Sequence, residues 1–139
     1  MARGLRRLNE PGLAWAALAA LAAALSLLVA AAEAAGLPAR DALAWHRDAP
    51  GQLWRCWSAA FVHFGALHLG ANLAGALLLG ALGWHARLPA VAALAWTLAW
   101  PSAHALLWLG TQPDHYLGLS GVLHAGVAVA AVMMLARPG

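Results

Sequence analysis

Four stretches of about twenty residues or more run through this chain with no charged side chain in their interiors, and nothing else narrows its possible folds so much. They are Pro11 to Ala35, with Glu33 near its far end, Cys56 to Trp84, Leu88 to Leu109, and Leu117 to Leu135. Crossing ~30 Å of hydrocarbon takes about 20 apolar residues in a helix. Of the 139 residues, 63% are hydrophobic and 9% charged, against roughly 25% charged in an average soluble domain. The natural solvent for most of the chain is therefore lipid, and an all-α fold is expected: a polytopic helical membrane bundle over residues 11–139, after a short N-terminal segment, 1–10. No length remains for a separate soluble domain.

The arginines set an orientation. Arg3, Arg6 and Arg7 precede the first stretch, Arg87 lies between the second and third, and Arg137 follows the fourth; by parity these share one side, expected to be the cytoplasm. The other side receives a long loop, Gly36 to Arg55, and a short one, Gly110 to Tyr116. Arginine- and alanine-rich composition without lysine suggests a GC-rich bacterial genome, hence a bacterial inner membrane. The basic residues are scattered rather than gathered in a stripe, which argues against nucleic acid as a partner. A single cysteine, Cys56, excludes an intrachain disulfide and a CxxC site. The first apolar run exceeds the 7–15 residues of a signal-peptide core, so it is expected to remain as an anchor.

Trp45, Trp54 and Trp57 of the long loop are expected at the headgroup zone. Gly65, Gly70, Gly75 and Gly80 of the second stretch are mostly expected to let helices approach closely, and Pro101 to kink the third. His104 reads as a satisfied polar residue.

Polar residues at bilayer depth need a reason. His68 and Asn72, four apart, share a face of the second helix, while His63 lies about 140° around and nearer its outer end. A lone histidine often just bonds a neighbouring helix; a pair on one face points at a common partner. In Gly118-Leu119-Ser120-Gly121, a serine sits between two glycines where a loop becomes a helix. Helix N-termini offer unpaired N–H groups to a developing negative charge, the requirement of a serine nucleophile with an oxyanion hole. Glycine and serine are also ordinary packing residues in membrane helices.

Taken in order, Trp54-Arg55, His63, His68-x-x-x-Asn72 and Gly118-Leu-Ser120-Gly121 resemble the rhomboid family of intramembrane serine proteases, over about Trp54 to Ala130. The wording Gly-Leu-Ser-Gly-Val-Leu-His is closest to the small bacterial rhombosortases. The resemblance implies that Ser120 attacks the scissile carbonyl, that His68, Asn72 and the Ser120 N–H hold the oxyanion, and that His63, Gly118 and Gly121 support them. It implies transmembrane protein substrates, cleaved near the outer face through an acyl-enzyme, and neither metal nor cofactor. The rhombosortase wording implies substrates with a C-terminal anchoring tail containing Gly-Gly.

The family's catalytic histidine belongs to a sixth helix and has no counterpart here. The expectation is four spans of six, a C-terminally truncated domain, inactive by itself. His124, four residues after Ser120, is a candidate substitute base. Two other readings stay open: a non-catalytic rhomboid-like protein that binds client helices, and a haem carrier using His63, His68, His104 or His124 as axial ligands.

Overall fold

The computed structural model describes residues 10–136; the expectations for Arg3, Arg6, Arg7 and Arg137 lie outside them. The chain is helical almost throughout. Helix α1 spans Leu13–Ala34, α2 Ala39–Leu43, α3 Arg55–Ser58, α4 Ala66–His85, α5 Ala90–Ala105 and α6 Ser120–Leu135, with 3-10 turns at Ala59–Phe61 and Leu106–Leu109. Two-residue strands, β1 (Trp45–His46) and β2 (His115–Tyr116), pair antiparallel with Trp45 opposite Tyr116.

Among the described residues, three segments are long and apolar enough to cross a membrane: Leu13–Ala34, Ala66–His85 and Ala90–Leu109. They make this an integral membrane protein. Helix α6 is also apolar but has 16 residues, about 24 Å at 1.5 Å per residue.

One boundary is corrected. The second stretch was expected to be helical from Cys56 onward; instead α3 and a 3-10 turn end at Phe61, and α4 begins at Ala66. Val62 is extended (φ −91°, ψ 142°), as is Gly65 (φ 170°, ψ −177°). The break has a purpose in hydrogen bonding. The Ala59 carbonyl, which a continuous helix would spend four residues on, accepts the Gly118 N–H at 2.9 Å. His63 therefore lies in a link and not on the helix face assigned to it.

The bundle centre is organised by two tryptophans whose rings stack at 4.5 Å. Trp15 of α1 donates its indole N–H to the Leu79 carbonyl of α4 at 2.8 Å, and Trp96 of α5 donates to the Val122 carbonyl of α6 at 2.8 Å. A buried indole needs such a partner, and each bond ties two helices together. Glycine makes the room: a Cβ on Gly83 would overlap the Trp15 indole, and one on Gly126 would sit 2.7 Å from Trp96. Of the four glycines expected to pack, Gly75 and Gly80 do so, against Leu123 and Ala19, whereas Gly65 and Gly70 face open space. Of the loop tryptophans, Trp45 is fully buried with Cys56 and Ala59, while Trp54 and Trp57 are exposed.

Overpacking a close helix contact costs about 1–3 kcal/mol. Gly83→Ala is accordingly expected to lower thermal stability in detergent micelles by that order, and Gly70→Ala to leave it within about 0.5 kcal/mol; equal melting temperatures for the two variants would contradict this packing.

Candidate active site

Ser120 is the first residue of α6, where helix geometry leaves amide groups without intrahelical partners. The loop before it passes close to α4. Gly118 has φ +114°, a left-handed region that favours glycine. It is also pressed against the histidine: a Cβ there would stand 2.7 Å from His68 Cε1, 2.9 Å from His68 Nε2 and 3.9 Å from Asn72 Nδ2. Two independent reasons thus require glycine at 118, and both bring the serine loop onto the His68–Asn72 face.

Local bonds orient the polar pair. The Phe64 N–H donates to His68 Nδ1 at 3.3 Å, so the neutral ring carries its proton on Nε2, the nitrogen beside Gly118. Asn72, buried, gives one amide proton to the His68 carbonyl at 3.0 Å, leaving its other N–H available. His63 packs edge-on against His68, centroids 5.1 Å apart, with Nδ1 donating to the Phe61 carbonyl at 3.2 Å. Burial, reinforced by the neighbouring His68, pushes the His63 imidazole below its ordinary value, which keeps it neutral beside the pair.

The Ser120 hydroxyl has a partner that sequence reasoning gave no role: the Tyr116 hydroxyl, 3.0 Å away. The Gly121 N–H also donates to that phenol oxygen, at 3.2 Å. His124, considered as a base, spends Nδ1 on the Ser120 main-chain carbonyl at 2.7 Å and is exposed. His104 donates Nδ1 to the Cys56 carbonyl, but its Nε2 is buried without a partner, so it is only half satisfied.

A model of the rhomboid domain matches residues 50–138. The chain belongs to the rhomboid family. No curated protein and no solved structure matches it. The matched stretch carries every site residue above, and the geometry gives its Trp54-Arg55 pair a specific task. Arg55 donates to the Asp41 carbonyl at 3.0 Å and to the Ala44 carbonyl, folding the long loop back over α3, while Trp54 stays exposed.

A second arginine of the rhomboid's long loop does more, and its sequence neighbours gave no sign of it. Arg47 donates to the carbonyls of Leu107, Gly110 and Pro113, and lies 3.8 Å from the Asp114 carboxylate. Its backbone joins in, with the N–H on the Asp114 carbonyl at 2.9 Å and its carbonyl accepting the Trp108 indole N–H at 3.3 Å. The loop leading to Ser120 is thereby clamped to the long loop, and Tyr116 is held in the β1–β2 pairing. Arg47→Ala is expected to speed hydrogen exchange at the amides of residues 114–116 by roughly 10-fold or more, since each charge-assisted bond is worth about 1.5–3 kcal/mol when buried and less at this half-exposed position. Protection equal to wild type would remove the clamp from the account.

Proposed function

We propose that this rhomboid is an intramembrane serine endopeptidase that cleaves membrane-anchored proteins near the outer membrane face. The observation that carries the reading is the seat of Gly118 against His68 and Asn72, which sets a helix-terminal serine two residues from two polar donors. Ser120 Oγ attacks the scissile carbonyl carbon and surrenders its proton to a base. The oxyanion is received by His68 Nε2–H, the free Asn72 N–H and the Ser120 main-chain N–H. Collapse expels the amine of the leaving fragment and leaves an acyl-enzyme, which water hydrolyses. Preorganised donors of this kind supply much of the rate in acyl transfer, and a cavity containing them compensates the cost of polar groups at membrane depth. Gly118 and Gly121 support by leaving space, and His63 by bracing His68.

The reaction needs a proton acceptor, without which a serine hydroxyl is a weak nucleophile. His124 does not meet the nucleophile here: its Nδ1 donates to the Ser120 main-chain carbonyl, and the partner of the Ser120 hydroxyl is Tyr116. The rhomboid resemblance gives it to a histidine of a sixth helix. In this reading the domain starts at about residue 11, since α1 is tied to α4 through Trp15, and the N-terminus is cytoplasmic in a bacterial inner membrane. The rhombosortase wording would make the substrates exported proteins with a Gly-Gly-containing tail.

A second reading, a non-catalytic protein that binds client transmembrane helices, is favoured by one observation: the partner of Ser120 Oγ is a phenol and not an imidazole. Cleavage of a membrane-anchored reporter in proteoliposomes by the full-length protein, with the sixth-helix histidine that the protease reading requires, separates the two. The protease reading expects no cleavage by Ser120→Ala, a loss of roughly 10–1,000-fold in His68→Ala and Asn72→Ala, and a rate within about twofold of wild type in His124→Ala. Reporter that is retained but never cut in a Ser120-dependent way would give the second reading.

A further inference from the structure

We infer that Tyr116 is the positioning residue of the Ser120 nucleophile, an inference that rests on the protease reading above. Its hydroxyl lies 3.0 Å from Ser120 Oγ and 3.2 Å from the Gly121 nitrogen. A serine side chain at a helix start has three staggered rotamers, and a hydrogen bond to a fixed phenol selects one. The phenol is fixed from three directions. Its backbone is paired with Trp45 in the β1–β2 ladder. Its ring packs against His104 at 5.2 Å, and that imidazole is anchored on the Cys56 carbonyl. The loop it sits on is clamped by Arg47 through Pro113 and Asp114.

The same hydroxyl sorts the amides at the start of α6. Two N–H groups there are placed to receive an oxyanion, those of Ser120 and Gly121, and the phenol oxygen takes the Gly121 proton. The Ser120 N–H is left as the main-chain donor to the oxyanion. Glycine at 121 now has a specific reason: a Cβ there would stand 3.1 Å from the Tyr116 hydroxyl, tight enough to push it off the serine. Tyr116 thus orients the nucleophile, and deprotonation is left to another group.

Tyr116 is the single tyrosine of the chain, so protein carrying 13Cζ-tyrosine in micelles gives one phenol resonance. Ser120→Ala and Gly121→Ala are each expected to move that resonance, the first by removing the hydrogen-bond partner and the second by displacing the hydroxyl. A resonance unmoved in both overturns the inference. In the reporter assay Tyr116→Phe keeps the ring, the strand pairing and the His104 contact, and is expected to lower kcat roughly 3- to 10-fold with KM unchanged, the size of one hydrogen bond. An unchanged kcat in Tyr116→Phe, with Ser120→Ala inactive, overturns the positioning role and leaves the protease reading standing. Wild type that cleaves no better than Ser120→Ala overturns that reading, and the catalytic role of Tyr116 with it.

Discussion

The close approach of the 117–120 loop to the start of α4 is the contact on which the rest of the site depends. Only a glycine can occupy position 118, because its backbone is left-handed and its missing Cβ is the space the His68 ring fills. The Gly118 N–H then needs a partner, and finds it in the Ala59 carbonyl. That carbonyl, which also accepts the Val62 N–H at 3.4 Å, lies at the turn where the helix stops at Phe61 before restarting at Ala66. In hydrocarbon an unpaired backbone group costs several kcal/mol, and irregular backbone is tolerated where protein or a wet cavity receives it. The interrupted second stretch and the serine loop are thus one structural solution, each supplying what the other lacks.

Outside the bundle a second set of bonds keeps that loop in place. Arg47 and Arg55 direct their guanidinium groups at main-chain carbonyls, five in all: Leu107, Gly110 and Pro113 for the first, Asp41 and Ala44 for the second. Arginine suits this work because its planar fork offers several donors in fixed directions. The long loop is a brace that runs from α1 to the loop before α6, with Trp45 sealed inside it.

Much of this was legible in the sequence because lipid imposes simple rules. The apolar stretches located α1 to within a residue or two and the body of α4, α5 and α6. Ser120 at a helix start, and His68 with Asn72 on one face, followed from spacing alone. The failures share a cause. The break at 62–65 lies in an unbroken apolar run, and periodicity cannot distinguish a helix from a short extended link when every residue is apolar. Arg47 acts through partners 60 or more residues away, which no local pattern encodes; Tyr116 lies only four residues before Ser120, but that spacing means nothing until the β1–β2 pairing places the ring. The burial of Trp45 among Cys56 and Ala59 is likewise set by tertiary packing, which its residue type alone does not reveal.

The central claim is that Ser120 is a nucleophile served by donors on α4. It is tested most directly by treating the full-length protein, with the sixth-helix histidine that the reading requires, in membranes, wild type and variants, with a fluorophosphonate and mapping the adduct by peptide mass spectrometry. The account predicts an adduct on Ser120, absent from Ser120→Ala and formed more slowly in His68→Ala, whose Nε2–H would face the phosphonyl oxygen. An adduct on any other residue, or one that forms on Ser120 at the same rate with and without His68, would contradict it.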